Sequence, residues 1–326
     1  MINFAQLSVD ITKNYHQTMH IVFLEPLGVC ECIASSLCSK IEERGHKITF
    51  YSDRNEKEEI LIQRAAGADA IVVSNIPLRK SFFDACPDLK MISVAFTGLD
   101  HIDLEECQRR GIIVRNAAGY STQAVAELAI GMMIAVYRKI VGGDAITRIG
   151  GSRENFLGSE LNGKTVGIIG TGAIGRQVAK LADAFGCRVI ACNRTVREIE
   201  NIQMVDKETL LRKADIITVH IPLNKDTKDF IHEGEFALMQ PHAILINTAR
   251  GPIVNSSALY DALRKNKIAG AAVDVYDQEP PLPANNELFN APNLLMLPHM
   301  GYATKEAFAE RIKIVIRNIE EWLNIQ

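Results

Sequence analysis

The sequence predicts an α/β protein whose strands form parallel sheets covered by helices. Short apolar strand patterns alternate with helical ones almost from end to end, the order that parallel sheets require. One strand pattern runs directly into a glycine-rich turn and then a helix. The composition is that of a folded chain: of 326 residues, 47% are hydrophobic and 23% charged, which excludes disorder for the bulk of it. At about 150 residues per domain, this length corresponds to roughly two domains.

The first group of expected strands is His20–Leu24, Lys47–Tyr51, Asp69–Val73, Lys90–Val94 and Ile112–Arg115. Helical stretches lie between them, such as Cys32–Arg44, closed by Gly45 in the C-cap position. A long helix is expected over Thr122–Ile140, led by Ser121 as N-cap, with Gly142-Gly143 just beyond its end. The second group of strands is Thr165–Ile169, Arg188–Cys192, Asp215–His220, Ala243–Asn247, Ala269–Asp274 and Asn293–Leu297. An amphipathic helix over Lys305–Leu323 follows them. No internal repeat breaks this order, and the Pro-rich Glu279–Pro283 is a single loop.

Charge and targeting signals narrow the function classes. Lys and Arg total 36 against 39 Asp and Glu, a net charge of -3, which argues against nucleic acid or an anionic membrane as the main partner. The apolar stretch Ala124–Tyr137 carries Glu127, is too short to span a bilayer, and reads as a buried helix. The first twenty residues are mixed and polar, without a basic-then-apolar signal, and read as a loosely attached extension. Seven cysteines without disulfide-framework spacing imply a reducing, cytoplasmic location. Cys30, Cys32 and Cys38 cluster without a second ligand pair, so buried thiols are expected there rather than a metal site.

The strand Thr165–Ile169 leads into Gly170-Thr171-Gly172-Ala173-Ile174-Gly175 and a helix pattern over Arg176–Phe185. Gly170 permits a tight turn, Gly172 lets backbone approach a pyrophosphate, and Gly175 lets helix and strand pack closely. The helix start adds N–H groups and a positive dipole end, so the segment reads as a dinucleotide site. A turn that merely saves space is the plainer alternative. At the end of the next strand, where an NAD site has Asp or Glu, stands Asn193-Arg194-Thr195. Asn193 removes a charge that would repel a 2′-phosphate, and Arg194 offers a planar cation to bind it or stack on adenine. The cofactor expectation is therefore NAD(P), leaning to NADP.

At these residues the chain resembles the D-2-hydroxyacid dehydrogenases, the D-isomer-specific, NAD(P)-dependent family, over nearly its whole length from His20 onward. Several segments carry the likeness in order. Phe96-Thr-Gly-Leu-Asp-His-Ile-Asp103 is similar to the family's substrate-carboxylate loop. Asn116-Ala-Ala-Gly-Tyr-Ser-Thr122, with Ala124-Val-Ala-Glu127, is similar to its crossing into the nucleotide domain. Val219-His-Ile-Pro-Leu-Asn-Lys-Asp-Thr227 resembles the loop beside the cofactor. Asn247-Thr-Ala-Arg-Gly251, Asp274-Val-Tyr-Asp-Gln-Glu-Pro280 and Pro298-His-Met-Gly301 resemble the catalytic segments. Gly119-Tyr-Ser-Thr122 and Gly301-Tyr-Ala-Thr304 are similar to stretches of glycerate dehydrogenases and hydroxypyruvate reductases.

The resemblance implies two doubly wound parallel-sheet domains, with a Rossmann dinucleotide-binding domain (117–298) inserted in a flavodoxin-like substrate domain (1–116 and 299–326). It implies hydride transfer between NAD(P)H and a small 2-keto acid to give a D-2-hydroxy acid. Arg250 binds the substrate carboxylate and carbonyl in this reading, a task suited to its bidentate fork. His299 is the acid/base, and pattern alone would equally nominate His220. Glu279 holds the imidazole, favouring its charged form and its orientation, where a formate dehydrogenase would have Gln. Phe96, Thr97 and Gly98 form an anion-binding turn of consecutive N–H groups. His220, Pro222, Thr227 and Thr248 join the glycine turn and Asn193–Thr195 as cofactor contacts, and Asp274 holds the nicotinamide carboxamide. Phe96, or a residue near Asn75 and Ile76, meets the substrate's side group. The family also suggests a homodimer through the helix Thr122–Ile140, whose composition fits an internal core helix nearly as well. A hydroxypyruvate or glyoxylate reductase and a dinucleotide-sensing binding protein are the alternatives. A phosphoglycerate dehydrogenase with a regulatory tail is disfavoured.

Overall fold

The computed structural model describes residues 18–195 and 198–324, so the expected N-terminal extension lies outside the described residues. By internal contacts the chain divides into a first unit of Met1–Ala117 with Ala309–Gln326 and a second of Ala118–Phe308. The return crossing falls ten residues later than the expected boundary at 299, because Gly301–Phe308 keep their contacts with the second unit.

The first unit holds strands β1 (His20–Phe23), β2 (Lys47–Phe50), β3 (Ala70–Val73), β4 (Met91–Val94) and β5 (Ile113–Asn116). All are parallel, in the order β2-β1-β3-β4-β5, the flavodoxin-like arrangement with its switch point between β1 and β3. Helices α1 (Glu31–Glu43), α2 (Glu58–Ala65), α3 (Lys80–Ala85) and α4 (Leu104–Arg110) make the crossovers. Asp103 caps α4 by accepting from the Glu106 N–H, and Gly111 closes it at φ 71°. β3 and β4 are buried throughout, as continuous apolar runs in a covered parallel sheet should be.

The second unit begins with α5 (Thr122–Tyr137) and α6 (Ile140–Arg148). Here the expectation of one helix over Thr122–Ile140 is corrected. Lys139 adopts φ 52°, which breaks the helix, and Gly142 and Gly143 lie inside α6 rather than beyond a helix end. A side chain at Gly142 would sit 3.1 Å from the Phe156 ring, so the small residue admits that ring. Ser121 occupies the N-cap position without a side-chain capping bond. Then follow β6 (Thr165–Ile169), α7 (Ala173–Ala184), β7 (Arg188–Cys192), β8 (Gln203–Met204), α8 (Lys207–Lys213), β9 (Ile216–Val219) and α9 (Glu233–Phe236). The unit's sheet is completed by β10 (Ile244–Asn247), β11 (Gly270–Val273) and β12 (Leu294–Met296), with α10 (Ser256–Arg264) between β10 and β11.

These seven strands are parallel in the order β12-β11-β10-β9-β6-β7-β8, a Rossmann arrangement that reverses between β6 and β9. One face buries α5 and α7 through Ala126, Ala129, Met133, Val178 and Ala182. The other buries α8, α9 and α10 through Leu210, Leu211, Phe236, Leu259 and Leu263. Helix α11 (Lys305–Leu323) turns back to the first unit, where the Ser93 hydroxyl donates to the Val315 carbonyl and Asn318 donates to the Asn116 carbonyl.

Among the described residues no helix is long and apolar enough to cross a membrane. Of the clustered cysteines the expectation of buried thiols holds for Cys38; Cys86, Cys107, Cys187 and Cys192 are buried free thiols as well. The expectation fails for Cys30 and Cys32, which are exposed and joined in a disulfide. Their sites at the start of α1 face solvent, so neither side chain reaches the core.

Candidate active site

The glycine turn after β6 has a distinct reason for each glycine. Gly170 has φ 98°, and a Cβ there would lie 2.6 Å from the His220 carbonyl oxygen. A Cβ on Gly175 would stand 2.0 Å from the Gly170 oxygen, so only glycine lets α7 start this close to the turn. Gly172 has nothing within 4 Å, leaving open space above the N-terminus of α7. That helix begins at Ala173, three residues earlier than expected, so Ala173, Ile174 and Gly175 form its first turn. Thr171 is buried, and its carbonyl accepts from the Arg176 guanidinium at 2.8 Å.

Beside the turn lies a groove of about 1100 Å³ within the second unit. Four expected cofactor residues line it: Asn193, Arg194, Pro222 and Thr227. Asn193 and Arg194 are exposed at the end of β7, and the Asn193 amide donates to the Thr195 carbonyl at 3.0 Å. Thr227 donates to the Pro222 carbonyl at 2.6 Å and accepts from the Asn224 N–H, which folds that rim. Met204–Lys207 with Thr209 and Phe230 form the far wall, which the sequence scarcely marks. Its one legible signal was Asp206 with Thr209 three residues on, the N-cap pair that starts α8. The Lys207 ammonium is already held by the Phe230 carbonyl and Glu235 at 2.9 and 2.8 Å.

His220 pairs through Nε2 with the Thr218 hydroxyl at 2.8 Å, and burial of its ring pushes its pKa down to about 4. It is neutral near pH 7, which suits a wall of the site and not a proton donor. The Thr248 hydroxyl oxygen is buried without a hydrogen-bond partner among the described residues. An orphaned donor, an open glycine turn at a helix N-terminus and a groove of this size together fit a dinucleotide.

Three adjoining strands carry the expected catalytic residues at their carboxyl ends. After β10, the buried Asn247 side chain accepts from the Ala249 N–H and donates to the Arg250 carbonyl, both at 3.0 Å. That fixes the Thr248–Arg250 turn, and the Arg250 guanidinium donates back to the Ala249 carbonyl at 2.8 Å. A Cβ on Gly251 would lie 1.9 Å from the Tyr276 carbonyl carbon, so this turn presses against the segment after β11. From that segment come Asp274 and Glu279. After β12 comes His299, whose Nδ1 lies 2.8 Å from the Glu279 carboxylate. The carboxylate accepts the Nδ1 proton and leaves Nε2 as the ring's reactive nitrogen.

His299 has φ 55°, a conformation that non-glycine residues rarely adopt. The next two N–H groups, of Met300 and Gly301, donate to the two Asp274 carboxylate oxygens at 2.8 and 2.7 Å. Asp274 is 1% exposed, and burial raises its pKa against the opposing pull of those two bonds. Besides the cofactor role expected for it, Asp274 thus grips the histidine loop. Tyr302 meets the His299 ring edge to face at 5.5 Å.

Phe96, Thr97 and Gly98 follow β4 in the first unit. The Phe96 carbonyl accepts from the Ala117 N–H at 3.0 Å and the Thr97 carbonyl from the Asn116 amide at 2.6 Å. Ile76 is fully buried and so unavailable as a substrate contact, whereas the Asn75 side chain accepts from Arg54 at 2.9 Å. Glu25, which no sequence motif marks, is a buried carboxylate after β1 that accepts from the Ser74 N–H at 2.7 Å and pairs with Arg54.

Comparisons with known proteins bear on the fold and the family. Residues 130–301 match the family model of the D-isomer specific 2-hydroxyacid dehydrogenase NAD binding domain. A glyoxylate reductase of Thermococcus litoralis is 39% identical over 294 residues, covering 86% of this chain and 88% of that protein. Among solved structures, an acyclic imino acid reductase in complex with NADPH and D-Arg superposes with TM-score 0.85 at 35% identity. That match covers 94% of this chain and 98% of the other. An NAD-dependent formate dehydrogenase from Staphylococcus aureus, in complex with NAD, gives TM-score 0.83 at 28% identity over 94% and 96% of the two chains.

Proposed function

The chain belongs to the D-isomer specific 2-hydroxyacid dehydrogenases, and from that premise we propose that it reduces glyoxylate and hydroxypyruvate through Arg250, Glu279 and His299. It is an oxidoreductase that converts a 2-keto acid to the 2-hydroxy acid with a nicotinamide dinucleotide. That dinucleotide, when bound, supplies the hydride. Arg250 binds the keto acid's carboxylate and polarises its carbonyl, placing positive charge where negative charge develops. His299 delivers a proton from Nε2 to the carbonyl oxygen, while Glu279 holds Nδ1–H so that Nε2 stays aimed. Phe96, Thr97 and Gly98 bind the carboxylate through their N–H groups.

The observation that carries this reading is the 2.8 Å contact between His299 and Glu279, in a loop that Asp274 grips. A formate dehydrogenase would lack the Glu279 carboxylate. The test is a panel of 2-keto acids run with NADH and NADPH. Turnover highest for glyoxylate or hydroxypyruvate is expected. Tight dinucleotide binding with no turnover across the panel would favour a sensing protein instead.

The preferred cofactor in this proposal is NADP. Its support is the exposed Arg194 on the groove, with Asn193 where a ribose-binding carboxylate would stand. The same panel decides it: a lower KM for NADPH is expected, and a clear NADH preference rejects it.

The protein is further proposed to be a cytoplasmic homodimer. Most of α5 packs into its own unit, and four of the uncovered apolar side chains follow it. Ile140, Val141, Ile149 and Leu157 are 51%, 60%, 80% and 91% exposed, a concentration that a second copy would cover. Light scattering at micromolar concentration tests this, and a monomer there rejects it.

A further inference from the structure

We infer that Arg311 of α11 is a positioning residue for the substrate turn after β4. The inference rests on the reading above that Phe96–Gly98 hold the substrate carboxylate. Arg311 is 4% exposed, a guanidinium enclosed within the first unit. Its Nη2 donates to the Leu27 carbonyl in the loop after β1, and its Nη1 to the Ala95 carbonyl at 3.5 Å, directly after β4. One planar fork therefore ties two loops at the carboxyl edge of the five-stranded sheet.

The Ala95 carbonyl belongs to the same peptide group as the Phe96 N–H. That group is trans and planar, so the N–H points opposite to the carbonyl. By holding the oxygen, Arg311 sets the direction of the first N–H of the turn. The Asn116 amide, on the Thr97 carbonyl, sets the peptide group that ends in the Gly98 N–H in the same way. A cation at the oxygen end also polarises the peptide and strengthens its N–H as a donor. Burying a charge is costly, and a neutral donor could satisfy two carbonyls. Arg311 adds what a neutral donor lacks, a positive potential under a turn that binds an anion.

The experiment compares Arg311→Gln, Arg311→Lys and Gly98→Pro, measuring kcat and KM for the keto acid, dinucleotide affinity by fluorescence, and Tm. Arg311→Gln is expected to raise the keto-acid KM about two- to tenfold, the scale of one ordinary hydrogen bond given the 3.5 Å length of the Ala95 contact, with kcat and dinucleotide affinity nearly unchanged. Arg311→Lys keeps the charge without the fork and is expected to raise KM by a smaller factor. It serves as the readout if Arg311→Gln does not fold. Gly98→Pro removes one N–H of the turn and leaves Arg311 intact, and it too is expected to raise KM. If Gly98→Pro raises KM while both folded Arg311 variants leave it unchanged, the positioning role is wrong and the carboxylate reading stands. If Gly98→Pro leaves KM unchanged, the carboxylate reading fails and the positioning role falls with it. A fall in Tm and dinucleotide affinity without a KM change would mark Arg311 as purely structural and overturn the inference.

Discussion

Two histidines in one unit end strand patterns, and their surroundings divide the labour between them. His299 faces a carboxylate, and its replacement by Ala should lower kcat by about 100- to 10,000-fold, the range of general acid–base catalysis. Dinucleotide affinity should stay near wild type, and steady-state kinetics with a fluorescence titration checks both. His220 is partly buried against a hydroxyl, and desolvation of its ring holds its pKa at about 4. The unfolded chain therefore binds a proton at this residue that the folded chain refuses. Its contribution is fully present above about pH 6.5 and is lost as pH falls toward 4, by on the order of 3 kcal/mol. His220→Gln should flatten the fall of Tm between pH 7 and 4.5. Residue type and strand-end position alone give these two histidines equal claims; the family resemblance favours His299, and the neighbours supply the physical reason. Arg250 and Glu279 were legible because a family-like order surrounds them. Glu25 was not, because a carboxylate after an apolar strand reads as solvated until its partners from the loops after β3 and β2 are folded against it.

At the scale of elements, the turn between β6 and α7 makes opposite demands on neighbouring glycines. Gly175→Ala would drive a Cβ into the Gly170 carbonyl and should lower stability by about 1–3 kcal/mol or more. Gly172→Ala meets no protein atom, so its Tm should stay close to wild type while dinucleotide Kd rises tenfold or more. Thermal melts paired with titration check the contrast, and equal effects on both quantities would contradict it. Strands were legible as elements because apolar runs of four or five residues in a covered parallel sheet have few alternatives. The break between α5 and α6 was not, since it hangs on a left-handed Lys139, a conformation its residue type does not announce. The far wall of the groove was likewise hidden, because β8 is only two residues long.

For the whole molecule, the sequence order of motifs revealed an insertion, and the contact division places its return crossing after Phe308. Composition could bound the number of units but not where the chain re-enters the first one, which depends on contacts of Gly301–Phe308. A dinucleotide held by the second unit should raise the calorimetric transition that contains residues 118–308. At a hundred times Kd the added stability is about 2.7 kcal/mol. A transition that does not move with saturating NADPH or NADH would contradict the assignment of the groove. The discontinuity of the first unit also imposes an order on biosynthesis. Val315, Ile319 and Trp322 of α11 are wholly enclosed, yet they are translated after the entire second unit. At about 5–20 residues per second, the inserted stretch keeps a ribosome occupied for on the order of ten to forty seconds. Throughout that interval the nascent five-stranded sheet lacks its closing helix and exposes an apolar face, so chaperone demand should peak there, while the later, uninterrupted unit folds as it emerges.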